Sequence, residues 1–372
     1  MSEPIRVLHI LQRMEAGGTQ ALLMNLYRKI DRTKLQFDFL VLYKEKQFYD
    51  DEIENGGGKI WRFSFRENLN LFQFCAELKE FFLEHNEYKV VHCHAFTVGF
   101  FCLKAARDAG VPVRIAHAHT NNIARDFKYF PKLIMRRLYT LYATELFACS
   151  HEAGKFFFND KPFTVIKNAI DSSKFVADLY VREKTRAELQ LDGKFVVGHV
   201  GRFHLQKNHA FLIKIFKCIK AKKPDAHLLL VGNGDLETKI TQMIANENLS
   251  DSVLILKNRS DMSRLYQAMD VFVLPSFFEG LGIVAVEAQA SGIPCICSNG
   301  VSIEANISPL FKQLNLNDDA QTWADNVILW SENMDAHADM HNYVISSGYD
   351  ICAAAKEMQL YYITATEKCE LF

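Results

Sequence analysis

At 372 residues the chain exceeds the usual span of one domain, so two are expected. Hydrophobic residues make up 49% and charged ones 23%, an ordinary globular balance, and a net charge of -1 gives no general pull towards nucleic acid. Nine scattered cysteines without a C-x-x-C pair argue against a disulfide framework or a zinc site and for free thiols in a reducing compartment.

The opening MSEPIRVLHIL enters a strand directly, without the basic and apolar regions of a signal peptide, and no run approaches the length of a bilayer span. A cytoplasmic chain, at most peripheral at the inner face of a membrane, is the expectation. Ile5 to Leu11 is a continuous apolar run that suits a central parallel strand. It leads through Gly17-Gly18 into apolar residues at helical spacing (Ala21, Leu22, Leu23, Leu26). That layout presents backbone N–H groups to a phosphate or a sugar, but it is not the dinucleotide G-x-G-x-x-G. Phe37 to Tyr43 and Lys59 to Phe63 read as strands with Gly56-Gly57-Gly58 as a turn between them, and Leu71 to Leu83 as an amphipathic helix. Two short strands follow, Val90 to His94 and Val113 to His117, each carrying histidines at its C-terminal end, with His119 just beyond the second. Ligands of open parallel sheets bind at such ends, so these histidines are placed for chemistry. A metal cluster is the rival reading, but no paired acidic ligands accompany them.

Within residues 128–144 (KYFPKLIMRRLYTLYAT) a basic amphipathic helix is expected after Pro131, with Lys128 among its basic residues. One core face and one solvated face is the simpler account; a contact with an anionic membrane surface is the alternative. Glu145 to Ser150 gives a strand and an N-cap serine. In the second half, strands are expected at Phe195 to Val200, His227 to Val231, Val253 to Leu256 and Val271 to Leu274. The last runs into a loop with Glu279, Gly280 and Gly282, and then a helix-like stretch around Val284 to Ala290. Two glycines between a strand and a helix start let backbone amides approach an anion. Glu279 belongs on that loop and Glu287 along the helix, where carboxylates can accept hydrogen bonds from sugar hydroxyls. Trp323 to Trp330 and Tyr349 to Tyr362 look helical.

The stretch Asp270 to Pro294, with Leu274-Pro275-Ser276, Glu279-Gly280, Val284, Glu287-Ala288, Ala290, Gly292 and Pro294, resembles the E-x7-E signature of retaining glycosyltransferases of family 4. Gly201-Arg202 with Lys207 resembles the family's G-R-x-x-x-x-K, and Thr164 to Asp171 its V-I-x-N-G-V-D, with Ala169 in place of the glycine. The resemblance implies the α/β GT-B fold, two Rossmann-like doubly wound domains facing across a cleft. It divides the chain into an acceptor-side domain (1–172), a nucleotide-sugar domain (173–345) and a terminal helix crossing back (346–372).

The implied reaction moves a sugar, with retention, from a nucleotide diphosphate sugar, UDP-linked by expectation, to a saccharide or lipid-linked saccharide of a capsule or exopolysaccharide. Arg202 and Lys207 would stabilise the charge of the diphosphate leaving group in place of a metal ion. Glu279 and the backbone from Gly280 through Leu281, Gly282 and Ile283 to Val284 would hold the transferred sugar, and Glu287 the ribose. His119 would serve the oxocarbenium-like centre, with the Gly17-Gly18 loop beside donor and acceptor. Asn258 and Arg259 would lie near the base, where Lys257 replaces the family's glycine. No metal, cofactor or nucleic acid is expected. The rival functions are a non-catalytic partner subunit and a sugar-nucleotide epimerase.

Overall fold

The computed structural model describes residues 3–15, 17–123, 129–334, 337 and 339–370. The chain divides into two compact units, Met1–Ala169 with Ile351–Phe372, and Ile170–Asp350. Each is built on one parallel sheet with helices.

The first sheet comprises β1 (Ile5–Ile10), β2 (Leu35–Val41), β3 (Ile60–Arg62), β4 (Val90–Cys93), β5 (Val113–Ala118), β6 (Glu145–Ala148) and β7 (Thr164–Val165), in the order β3-β2-β1-β4-β5-β6-β7. Its central strands are apolar and buried along nearly their whole length, as a sheet covered on both faces requires. The chain winds outwards from β1 through β2 and β3, then returns to lay β4 on β1's other side. The gap between the carboxyl ends of β1 and β4 is therefore a topological switch point. Register places His9 beside His92 there. Helix Ile351–Glu370 packs against this unit's helix Gly18–Lys29 and against β1 and β4. Its Ile351, Ala355, Met358 and Tyr362 form a buried stripe at helical spacing.

The second sheet comprises β8 (Phe195–Val200), β9 (Ala226–Val231), β10 (Val253–Leu256), β11 (Val271–Leu274), β12 (Cys295–Ser298) and β13 (Phe311–Leu314), in the order β10-β9-β8-β11-β12-β13. The same winding puts its switch point between β8 and β11. Helices His209–Lys222 and Ala320–Asn333 share a core with this sheet, in which Leu212, Phe216, Leu228, Val273 and Trp323 are fully buried.

Two sequence expectations change. The basic helix spans Tyr129–Leu138 rather than starting after Pro131 and reaching Thr144, and none of its residues is fully buried. It stops because Tyr139 is drawn inward, its hydroxyl donating to the carbonyl of Cys93 and accepting from the amide of His117 at 3.0 Å. Lys128, counted in that helix, lies outside the described residues. A short helix, Asp50–Asn55, precedes the Gly56-Gly57-Gly58 turn where none was expected. Among the described residues no helix is long and apolar enough to cross a membrane.

Candidate functional site

The second unit's switch point is assembled from the loops that leave β8 and β11. After Val200 the chain makes a short 3-10 turn, Leu205–Lys207, and Asn208 in the left-handed region (φ 54°) starts the next helix. Gly201 lets the Lys207 stem lie flat on the backbone, since a Cβ there would meet Lys207 Cε at 2.7 Å. Gly232, at φ 153°, brings the end of β9 against the same loop; a Cβ would stand 2.1 Å from the Gly201 carbonyl oxygen. Lys207 is thereby aimed at the β11 loop, where its Nζ donates to Glu279 Oε1 at 2.7 Å. Ser276 Oγ donates to the same oxygen at 2.7 Å, and Gln206 Nε2 to Oε2 at 3.1 Å. Glu279, 7% exposed, is thus held by three donors.

Beyond Glu279 the helix Ile283–Ala290 begins at Gly282, which sits at φ 88° with no side chain capping the first turn. A helix start leaves its first amides without intrahelical acceptors, and they form a positive end. Glu287 follows one turn in. Burial pushes its carboxyl up to about 7, while the Tyr266 hydroxyl, donating to Oε2 at 2.8 Å, and the charge of Lys207 pull the other way. Arg202 is largely exposed, 3.6 Å from Asp235. Asn258, at φ 50°, accepts from Asn233 Nδ2 at 2.6 Å, and the Arg259 guanidinium is engaged by Asp261 at 2.7 Å. Lys257 pairs with Glu237.

The first unit's switch point carries a connected group of histidines. His9 Nδ1 lies 3.1 Å from His94 Nε2, whose ring continues through Nδ1 to His119 Nε2 at 2.8 Å. Alongside, Tyr362 Oη meets His92 Nδ1 at 2.6 Å and His92 Nε2 meets His117 Nδ1 at 3.0 Å. Residues two apart on a strand share a face, so β4 and β5 each contribute a pair. Burial pushes His9 and His119 down to about 3 and holds His92, His94 and His117 well below the ordinary range, so all are neutral at pH 7. Gly17 caps helix Gly18–Lys29 in an extended conformation without a side-chain cap, so this unit too presents an open helix start.

The structure brings Lys207, Glu279, Glu287 and the residues from Gly280 to Val284 together around one loop–helix junction. Arg202 stands on the adjoining β8 loop, and Asn258 and Arg259 on the loop after β10. Three contributors were missed in the sequence: Tyr266, Ser276 and Gln206. Ser276 stood in the sequence only as part of the family string and Tyr266 carried no signal; only tertiary contact shows that they hold carboxylates. His9 was missed as well, since it sits inside an apolar run.

Comparison with known proteins bears on the family and the fold. The family profile "Glycosyltransferase Family 4" matches residues 16–174 and "Glycosyl transferases group 1" matches 181–346. The Bacillus subtilis (strain 168) protein EpsF, named as a glycosyltransferase, is 36% identical over 334 residues, 87% of this chain and 86% of that protein. An Escherichia coli UDP-Gal:alpha-D-GlcNAc-diphosphoundecaprenol alpha-1,3-galactosyltransferase is 26% identical over 309 residues, 79% of each chain. Among solved structures, Anabaena HepE in complex with UDP and glucose superposes with a TM-score of 0.81 at 18% identity, covering 96% of this chain and 99% of that one. Two parallel doubly wound sheets, their switch-point loops and these matches make the chain a glycosyltransferase of the GT-B fold, a member of family 4.

Proposed function

We propose that the protein transfers a sugar, with retention, from a UDP-sugar to a hydroxyl of a lipid-linked saccharide in surface polysaccharide synthesis, without a metal ion. The observation that carries this reading is Lys207, held by Glu279 beside an uncapped helix start. An ammonium on one loop and a helix start without a side-chain cap on the next suit a diphosphate leaving group. Arg202, exposed on the neighbouring loop, adds a second cation. The E. coli relative is named for a UDP-Gal donor and a diphosphoundecaprenol acceptor, and HepE is described with UDP and glucose; both support the choice of donor, the former that of acceptor.

In the reaction the bond between the anomeric carbon and the diphosphate oxygen breaks, and a bond to the acceptor oxygen forms on the same face. The acceptor's proton passes to the departing phosphate. Glu279 is a poor nucleophile, its carboxylate already taking three protein hydrogen bonds, which favours this route over a glycosyl-enzyme. Its remaining lone pairs and the amides near Gly280 to Val284 hold the sugar. Glu287 takes the ribose, and Asn258 with Arg259 stand towards the base. His119, neutral, serves the oxocarbenium-like centre through a ring nitrogen's lone pair or hydrogen rather than through charge. The Gly17-Gly18 loop serves donor and acceptor.

Thermal unfolding against a panel of nucleotide sugars, in magnesium and in chelator, tests the reading. A ligand at a hundred times its dissociation constant adds about 2.7 kcal/mol. The expected result is a shift with one UDP-sugar that is equal in both buffers. No shift with any of the panel would contradict the reading and favour a non-catalytic partner subunit.

A further inference from the structure

The histidines of the first unit offer more ring nitrogens than their mutual contacts use. His9 Nε2, His117 Nε2 and His119 Nδ1 are buried and face no hydrogen-bond partner among the described residues. Buried polar atoms in folded proteins are nearly always paired, and His117 Nε2, bare in a cluster that also holds the His94–His119 contact, is poorly explained as packing. We propose that His94, His117 and His119 form a binding site for a divalent transition-metal ion of the zinc class, and that its occupancy blocks sugar transfer.

The geometry suits such an ion. One ligand nitrogen from each of the three histidines lies within 4.8 Å of the others. Two nitrogens bound to one tetrahedral zinc at ~2.05 Å stand roughly 3.3 Å apart. The 2.8 Å contact between His94 and His119 therefore has to open by only about half an ångström to admit the metal. His94 and His117 each keep one nitrogen on a histidine outside the trio, His9 and His92 respectively, and Tyr362 braces His92 in turn. Metal-binding histidines typically have such support for the ring nitrogen that faces away from the ion.

A set of imidazole nitrogens without carboxylates selects zinc, nickel, cobalt or copper over magnesium or calcium. The absence of acidic partners, which spoke against a metal in the sequence, is thus no obstacle for this class of ion. His94 and His119 are partly exposed while His117 is buried, which gives an ion access from solvent. The other possible trio, His9, His92 and His94, is less accessible, since His9 and His92 are both buried. Binding stands on this geometry alone. The block of transfer rests in addition on the role proposed for His119, whose nitrogens the ion would occupy.

The test uses the full chain stripped with chelator and titrated with Co2+ and then Zn2+. One equivalent of Co2+ should give visible d–d absorption that Zn2+ displaces, and Zn2+ but not Mg2+ should raise the melting temperature. His94→Gln and His119→Gln, both at partly exposed positions, should each weaken Co2+ binding at least tenfold, while His227→Gln in the second unit leaves it unchanged. Near-UV circular dichroism of the metal-free variants checks that they fold. Absence of the absorption band, or a band that survives both substitutions in folded protein, overturns the site. Zinc should also inhibit transfer reversibly, with activity restored by chelator. Binding without inhibition overturns the block and the role given to His119 and leaves the site standing.

Discussion

Glu287 shows how one residue's surroundings set its chemistry. Burial lifts its carboxyl from an ordinary 4.5 to about 7, so the folded site holds a proton that the unfolded chain releases. The stability that this proton confers is full below about 4.5 and is lost as the pH rises through about 7. Sugar binding runs the other way, because the ionised carboxylate can accept from both ribose hydroxyls while the acid must spend its hydrogen on one contact. Affinity for the UDP-sugar should therefore rise by up to about tenfold between pH 6 and 8, a change that Glu287→Gln abolishes. Titration calorimetry across that range reads it; an equal rise in the variant would place the titrating group elsewhere. The glutamates themselves were legible in the sequence, since their spacing and glycine-rich setting are local. Their partners were not. Lys207 and Glu279 are 72 positions apart and meet only because β8 and β11 are neighbours in the sheet.

At the scale of elements, the glycines mark where the backbone, not a side chain, must do the work. Gly282 combines a left-handed φ of 88° with a tight wall, since a Cβ there would meet Val301 Cγ1 at 2.8 Å. Gly110 has a similar φ of 81° but nothing within 4 Å of its Cβ position. Gly110→Ala should cost about 1 kcal/mol of stability and leave nucleotide binding intact. Gly282→Val should cost more and also weaken UDP-sugar binding, because it displaces the helix start that presents the amides. Melting temperatures and calorimetry on the pair separate the two effects; equal affinity in both variants would show that the Gly282 turn does not shape the site. Strands were readable because buried parallel strands are rich in apolar residues. The helix Asp50–Asn55 was not, since its acidic face resembles a loop. Asp50 is in fact buried, accepting from Arg62 at 2.6 Å, a contact with no local signal.

For the whole molecule, the many neutral buried histidines imply a strong response to acid. His9, His92, His94, His117 and His119 all ionise far below 6.5 in the fold, and His199 and His209 in the second unit are shifted in the same direction. A depressed histidine leaves stability intact above about 6.5 and loses it as the pH falls, because the unfolded chain then binds the proton first. Each such ring contributes up to about 1.4 kcal/mol per pH unit in that window. The urea midpoint, followed by near-UV circular dichroism, should fall steeply from pH 7.5 to 5.5; an unchanged midpoint would mean that the rings gain protons in the fold without cost. The doubly wound order of both sheets was an implication of the resemblance to family 4, whereas the apolar runs and helical segments located strands and helices without their order. The histidine group was half legible: the pairs on β4 and β5 showed their period of two, whereas His9 joined them only through strand register.

The central claim is that Lys207 binds the diphosphate of the donor without a metal ion. Isothermal titration in chelator, of wild type and Lys207→Met, with the UDP-sugar that gives the largest melting shift, tests it most directly. Methionine keeps an apolar stem over Gly201, and Ser276 and Gln206 still hold Glu279. The account predicts one site per chain in the wild type, weakened at least tenfold in the variant, the order of a charge-assisted contact of about 1.5–3 kcal/mol. Binding that requires magnesium, or that is equal in the two proteins, would contradict it.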